Sequence, residues 1–157
     1  MGTRSLTKII ETCETSIAHE DNNNEVYKER KPITCMYRQY DGYLDGHGLE
    51  LAEWLAEHTL VNGIPVEHTT KEKPKLMFNG MDCLAAQMFS HFKDGAGGIY
   101  CMHPDAEDCG EEYLYEISEI DNQIHLTVYE MGYESDAIEI FHGTPEELLT
   151  KIELDYA

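Results

Sequence analysis

Basic residues are scarce in this sequence, and their scarcity restricts the possible partners. The 157-residue chain carries 11 Lys and Arg against 31 Asp and Glu, which gives a formal net charge of -20. Nucleic-acid affinity comes mainly from Lys and Arg that displace counterions from phosphates, so direct binding of DNA or RNA is disfavoured. Docking on an anionic membrane surface is disfavoured for the same reason. Basic partners are favoured instead.

Paired cysteines and long apolar runs are also missing. The five cysteines form no CxxC pair, which argues against a disulfide framework or a zinc ribbon and favours reduced thiols. No apolar segment follows Arg4 and Lys8, and no run approaches about eighteen apolar residues, so we expect neither a signal peptide nor a membrane span. Leu6 stands where N-myristoylation requires Ser or Thr. We therefore expect a cytoplasmic protein.

Motifs of established chemistry are absent as well. The sequence contains no Walker loop, dinucleotide fingerprint, nucleophile elbow, HExxH or EF-hand pattern. Enzymatic activity therefore has no positive support. Whether the protein is an enzyme stays open, with a non-enzymatic role that uses no cofactor favoured.

Size and composition predict a single folded domain over residues 1–157. A chain of this length buries about 68 to 70% of the surface that its unfolded form exposes, which is enough for a hydrophobic core. The apolar fraction of 41% and the ten Tyr argue against disorder. Only residues 20–31, which include three consecutive Asn, predict a mobile hairpin tip.

Hydrophobic patterns predict six strands and three helices. The strand patterns cover Thr3–Thr12, Ile33–Tyr40, Ile99–Met102, Glu112–Ile120, Gln123–Met131 and Ala137–His142. Asp121-Asn122 predicts a two-residue hairpin. Helical spacing begins at Leu49 and again after Asn79, which we expect to cap the second helix, and Thr144-Pro-Glu-Glu predicts a capping box for the third. Residues 61–75 predict a connector.

The predicted order of elements is ββααββββα, which indicates an α+β fold. In this fold class we expect a mostly antiparallel sheet with two to three helices packed on one face.

The acidic residues cluster in the second half of the chain. The stretch from Asp105 to Asp121 is the densest, and we predict partner contacts by Asp105, Glu107, Asp108, Glu111 and Glu112. Two interpretations stay open: a solvated surface, or a docking face for a basic partner. About twenty charges match roughly ten base pairs of duplex DNA, at one charge per roughly 1.7 Å, so charge mimicry is quantitatively possible.

The loop Tyr40–Gly48 is the best candidate for a ligand site. Glycines let backbone approach a ligand closely, and N–H groups at a helix start favour an anion such as a phosphate. The predicted ligand-binding residues are Arg38, Tyr40, Asp41, Tyr43, Asp45 and His47. The alternative is a structural turn from strand to helix.

A metal site is a further hypothesis. Cys101, His103 and Cys109 fall within nine residues and, with His125 or His142, supply four ligands of the types that zinc uses. The spacing matches no recurrent finger, and a strand of period two places Cys101 and His103 on one face in any case. An ordinary, partly buried patch is the competing interpretation.

Several motifs spread over most of the chain support a resemblance. They are Met1-Gly2-Thr3-Arg4-Ser5, Met36-Tyr37-Arg38-Gln39-Tyr40-Asp41-Gly42-Tyr43, Gly46-His47-Gly48, Asn79-Gly80-Met81 and Gly97-Gly98-Ile99-Tyr100. With these motifs the chain resembles a family of short phage and bacterial proteins with no established activity, in which the turn carries Asp-Gly-Tyr-Pro where this chain has Leu44. The resemblance implies a context: small phage accessory proteins often inhibit host machinery or host defence.

Together these observations predict a non-enzymatic, phage-type acidic protein. We expect it to bind and block a basic surface of a host nucleic-acid-handling or defence complex in the host cytoplasm, by charge mimicry. The first alternative is a receptor or sponge for a nucleotide-like ligand held by the Tyr40–Gly48 loop. The second is a metal-assisted hydrolase.

Overall fold

Eight strands and three helices make up the computed structural model, which describes residues 2–18, 20, 25–63, 76–132 and 136–156. A π-helical turn, Leu44–Gly48, leads directly into the first helix. In chain order the elements are β1 (Ser5–Ile17), β2 (Glu25–Arg38), α1 (Leu49–Ala56), β3 (Thr59–Val61), β4 (Met77–Asn79), α2 (Gly80–Phe92), β5 (Ile99–Met102), β6 (Tyr113–Ile120), β7 (Gln123–Glu130), β8 (Ile138–Gly143) and α3 (Pro145–Asp155).

The main sheet has six strands in the order β5-β2-β1-β6-β7-β8. β1 runs parallel to β6, and every other neighbouring pair in this sheet is antiparallel. β3 and β4 form a separate parallel pair. The predicted α+β class with a mostly antiparallel sheet is confirmed.

The helices cover one face of this sheet. Inward residues of α1, α2 and α3, such as Leu51, Leu84 and Leu148, are fully buried in one core cluster. The sheet contributes a row of fully buried side chains to the same cluster: Ile9, Met36, Tyr115, Ile117, Leu126 and Val128. Burying a Leu or Ile side chain contributes about 1.5–3 kcal/mol, so this shared core holds the helices on the sheet.

The loop 103–112 lies against the opposite face of the sheet. Leu6 and Cys35 point to that face, since strand side chains alternate, and both are buried. Cys109 and Glu111, from the loop, are close enough to Cys35 to contribute to its raised pKa, whose main cause is burial. The part of the loop that carries Glu111 therefore lies on the side of the sheet away from the helices.

Local sequence signals are borne out at two places. Asp121 and Asn122 both have positive φ, 51° and 63°, as a two-residue hairpin turn requires. At the start of α3 the Thr144 hydroxyl accepts from the Glu147 N–H, while the Glu147 carboxylate accepts from the Thr144 N–H. The predicted hairpin and the predicted capping box are both confirmed.

Three features differ from the prediction. β3 and β4, of three residues each, lie between α1 and α2. They were not predicted, because three residues are too few to show a periodic pattern. Asn79 makes no side-chain cap on α2, and its Oδ1 accepts from the Gly63 N–H at 2.7 Å instead. The predicted mobile tip, 20–31, overlaps β2, which is paired with β1 from Glu25 onward. Residues 21–24 and 64–75 lie outside the described part of the chain.

Candidate functional site

A cleft of about 540 Å³ opens where the end of β2, the outer face of α1 and the end of α2 meet. The register of the sheet places Arg38 beside Ile99, at the point where β5 begins. The lining residues are Arg38, Tyr40, Asp41, Glu50, Glu53, Trp54, Glu57, His91, Phe92, Asp94, Gly97, Gly98 and Ile99. Its volume lies within the range of about 300–1,000 Å³ found for ligand sites.

Arg38 is held at this cleft by three acceptors. Its Nε donates to the Tyr40 carbonyl at 2.8 Å, and its Nη1 donates to His47 Nδ1 at 3.0 Å. Nη1 also donates to the Glu50 carboxylate and forms an ion pair with it. The side chain is only 15% exposed, so the guanidinium is a fixed part of the site.

His47 lies behind Arg38 and is completely buried. An arginine can only donate, so Nδ1 of His47 must accept and Nε2 must carry the proton. Nε2–H then donates to the Thr7 hydroxyl, at 2.8 Å. Burial, reinforced by the Arg38 charge, lowers the pKa of His47 to about 3. The imidazole is therefore neutral and fixed in one tautomer, as a link between β1 and Arg38.

The loop before α1 is closed by its own hydrogen bonds. The His47 N–H donates to the Asp41 carbonyl at 2.7 Å, and the N–H groups of Gly46 and Gly48 both donate to the Tyr43 carbonyl. A Cβ at Gly46 would lie 2.5 Å from the Asp41 carbonyl oxygen, which explains the glycine there. These three N–H groups are thus occupied within the loop.

Tyr115 anchors the same loop from the sheet. Its hydroxyl donates to the Gly42 carbonyl at 2.7 Å, and burial raises the pKa of Tyr115 far above its ordinary value. Its ring meets the edge of the His47 ring, with centroids 5.1 Å apart. The loop geometry therefore depends on a residue more than sixty positions away in the sequence.

Aromatic side chains form one wall of the cleft. His91, on the exposed side of α2, stacks on Trp54 with ring centroids 5.2 Å apart and an angle of 14° between the planes. Trp54 is itself 5% exposed, and Phe92 meets its ring edge-on at 5.6 Å. Tyr40 is 58% exposed at the opposite rim. A flat, partly exposed surface thus borders the polar lining.

A glycine turn closes the cleft beside β5. Gly97 and Gly98 have φ of 76° and 73°, a backbone conformation that residues other than glycine rarely adopt. The turn is held by Lys93, whose Nζ donates to the carbonyls of Gly97 and Ile99 at 2.9 and 2.8 Å. The Gly98 carbonyl also accepts from the Gln39 N–H. This wall of the cleft is backbone in a defined conformation.

The lining is strongly acidic. Five carboxylates surround the cleft against one guanidinium, and they come from the loop, α1 and the end of α2: Asp41, Glu50, Glu53, Glu57 and Asp94. Glu50 pairs with Arg38 and Asp41 accepts from the Tyr43 hydroxyl at 3.2 Å. Within the described ranges, the other three carboxylates have neither an ion pair nor a hydrogen bond. The potential in the cleft is therefore negative.

A second group of carboxylates adjoins the first through the loop. Burial and then Glu130, Glu112 and Asp45 raise the pKa of Tyr113. Burial and then Asp45, Asp155 and Glu130 raise the pKa of the neighbouring Tyr156. These acids therefore lie near the two tyrosines, at the end of the sheet where β6 begins and β7 ends. Together the two groups form what we call the acidic face: Asp41, Asp45, Glu50, Glu53, Glu57, Asp94, Glu112, Glu130 and Asp155.

The structure separates the predicted ligand-binding residues. Arg38, Tyr40 and Asp41 line the cleft, and His47 supports Arg38 from below. Tyr43 and Asp45 are exposed on the outer side of the loop and do not line the cleft. The carboxylates of α1 were not predicted as site residues, although their spacing at i, i+3 and i+7 marks one face of a helix.

The predicted partner contacts lie on the loop 103–112. Asp105, Glu107 and Asp108 are exposed, whereas Glu111 and Glu112 are half-buried. Glu111 accepts from the Cys109 N–H at 2.8 Å. Three of these acids, Asp108, Glu111 and Glu112, line a shallow concavity of about 290 Å³ beside Arg4. Only Glu112 also belongs to the acidic face.

The proposed zinc ligands are not assembled into a site. Among the residues with described positions, no group of three or more His, Cys, Asp or Glu side chains is placed to hold a metal ion. Cys101 and His103 are exposed, and the His103 imidazole accepts from the Asp105 N–H at 3.1 Å. Cys109 is half-buried farther along the loop. This geometry fits the alternative interpretation, in which Cys101 and His103 share one face only because side chains alternate along a strand.

Comparisons with family models, with curated proteins and with solved structures find no match for this chain. In the part of the chain that the structure describes, no helix is long and apolar enough to cross a membrane.

Proposed function

We propose that this protein is a non-enzymatic binding protein that occupies a basic surface of its partner through the acidic face. One observation carries the proposal: five carboxylates line one cleft, and four more, Asp45, Glu112, Glu130 and Asp155, lie near Tyr113 and Tyr156. A negative potential concentrated in this way steers a basic partner to the surface and raises the association rate at low salt.

The partner class follows from the amount and sign of the charge. Nucleic-acid-handling complexes, including those of host defence, present basic grooves that normally accept phosphate backbones. The net charge of -20 is comparable with that of about ten base pairs of duplex DNA. Blocking of such a groove by a phage-type acidic protein is the function that we favour.

Matched charge reversals test the proposal. Glu53→Lys combined with Glu57→Lys changes the acidic face, whereas Glu139→Lys combined with Glu153→Lys makes the same change in net charge at exposed positions outside it. We expect the first pair to weaken binding of an oligo-arginine peptide by about tenfold or more, and the second pair to have little effect. Surface plasmon resonance at low and physiological ionic strength measures both.

Two results would contradict the proposal. Equal losses from both pairs would mean that net charge alone attracts the peptide. Binding that does not weaken as salt rises would mean that electrostatics does not drive it. Capture from host lysate at the two ionic strengths, with both reversal variants as controls, then identifies the physiological partner.

A nucleotide-like ligand is the second candidate, favoured by the meeting of Arg38 and the exposed Tyr40 at one cleft. The surrounding carboxylates repel phosphate, and the loop N–H groups are occupied, so this candidate ranks lower. A thermal-shift screen with cyclic and linear nucleotides tests it. Absence of stabilisation at millimolar ligand would remove it, because a bound ligand stabilises the folded state.

A further inference from the structure

The carboxylates on the outer face of α1 destabilise their own helix. Glu57 is the C-cap residue and Glu53 lies in the last turn, while no basic residue occupies that turn. The carbonyl end of a helix carries partial negative charge, so carboxylates there are unfavourable. Glu53 and Glu57 are also like charges at i and i+4, a destabilising pair.

Within the described residues, neither Glu53 nor Glu57 has an ion pair or hydrogen bond that would offset this repulsion, and the Lys93 ammonium is engaged by the carbonyls of Gly97 and Ile99. The one cation that lines the cleft, Arg38, is already paired with Glu50. Asp94, at the far end of α2, adds a third unpaired carboxylate to the same cavity. Repulsion among carboxylates around an open cavity decreases when a cation enters it. The cleft therefore favours a positively charged group.

The shape of the wall narrows the chemistry of that cation. The exposed imidazole of His91, stacked on Trp54, offers a flat surface to a planar group. A guanidinium is planar, stacks on such rings and donates in a fork that matches carboxylate oxygens, whereas an ammonium is a compact and strongly hydrated point charge. An arginine side chain therefore fits the cleft better than a lysine side chain.

We propose that the cleft binds an arginine side chain of the partner, with its guanidinium against His91 and its N–H groups on Glu53, Glu57 and Asp94. This inference rests on the proposed function, since it names the group by which a basic partner is recognised. Arg38 does not contact the incoming guanidinium; it holds Glu50 and the Tyr40 carbonyl at the rim.

NMR titration with Nα-acetyl-arginine amide tests this site directly. We expect shifts of the Trp54 indole N–H and of the backbone amides of Gly97 and Gly98. The neutral isostere, the corresponding citrulline amide, should produce none of them, and the lysine amide should bind more weakly. Equal binding of citrulline and arginine, or shifts confined to residues outside the cleft, would overturn the inference.

Glu53→Gln combined with Glu57→Gln supplies the second measurement. This pair should weaken the arginine probe by about tenfold and raise the melting temperature, because it removes both the binding carboxylates and their repulsion. Glu139→Gln combined with Glu153→Gln is the control with the same net charge, and it should leave probe affinity unchanged. Retained affinity in the first pair would also overturn the inference.

The two proposals fail in different ways. If the arginine probe does not enter the cleft while oligo-arginine binding remains sensitive to reversal of the acidic face, the arginine site is wrong and the docking function stands. If the probe binds in the cleft but oligo-arginine binding ignores both salt and charge reversal, the docking function is wrong and the cleft is a site for a small guanidinium ligand.

Discussion

The cleft and the loop 103–112 are both acidic, but they are built in different ways. The cleft acids are carried mainly by α1 and its C-cap residue, around an arginine that three hydrogen bonds hold in place. The loop acids are carried by irregular backbone, and the most acidic part of it is exposed. Precise recognition requires side chains on rigid supports, so equal charge does not give the two regions equal capacity for it.

This difference changes where contacts to a partner are expected. The density of acids along the sequence favours the loop, whereas the arrangement of acids in space favours the cleft. The loop charges contribute to the long-range potential, and the cleft charges contribute to orientation and specificity. The following measurements sharpen or break this division, beginning with the largest effect.

Replacement of the buried histidine should affect stability most. His47→Ala removes a fully buried ring together with its bonds to Thr7 and Arg38, and we expect a loss of about 3 kcal/mol in the free energy of unfolding. His103→Ala, on the exposed loop, should change it by less than about 0.5 kcal/mol. Urea denaturation compares the two, and similar losses would show that the two regions are equally ordered.

Acidification should lower the free energy of unfolding through the same residue, His47. The pKa of His47 is about 3 in the folded state, below the ordinary value of 6.5, so the unfolded chain binds more protons between these limits. This contribution is complete above about pH 6.5 and is lost progressively as the pH falls toward 3. Near pH 5 the loss amounts to about 2 kcal/mol.

Denaturation of the wild type and of His47→Asn at about pH 7 and about pH 5 isolates that term. Both proteins contain the same carboxylates, so the wild type should lose about 2 kcal/mol more than the variant on acidification. Among the described residues, Arg38 is the charged group that hydrogen-bonds the imidazole, Thr7 is its other hydrogen-bond partner, and Phe92 and Tyr115 make ring contacts with it. Parallel losses would refute the neutral, buried imidazole.

The anchor of the ligand loop should contribute less. Tyr115→Phe deletes the buried hydroxyl and leaves the Gly42 carbonyl without that donor, at a cost of about 1.5 kcal/mol. Tyr129→Phe is the matched control on β7, because the Tyr129 hydroxyl makes no hydrogen bond among the described residues. Thermal and urea denaturation measure both, and a cost no greater than that of the control would remove Tyr115 as an anchor.

The smallest effect concerns the opening of the loop 103–112, which the reactivity of the cysteines should report. Burial raises the pKa of the Cys35 thiol to about 11, whereas Cys101 is exposed. Iodoacetamide at neutral pH should therefore modify Cys101 and leave Cys35 intact in the folded protein, as mass spectrometry would show. Modification of both at similar rates would mean that the loop leaves the sheet frequently.

Local chemistry in the sequence predicted several elements correctly. The Thr144 capping box and the Asp121-Asn122 hairpin each depend on residues within about three positions of each other, so their signals are complete in a short window. The elements that were missed depend on partners far away. β3 forms only because β4 pairs with it, and Asn79 bonds to Gly63 rather than to its own helix.

The candidate site also contains residues that the sequence predicted and residues that only the fold brings together. The amino-acid sequence by itself determined the excess of acid, the α+β class and the choice of Arg38, Tyr40 and Asp41 as residues of interest. Only the tertiary structure decided that Glu53, Glu57 and Asp94 meet them at one cleft, because strand register and helix packing bring together three separate segments of the chain. Charge is a property of composition, but an electrostatic site is a property of distance, and distances between remote segments exist only in the folded chain.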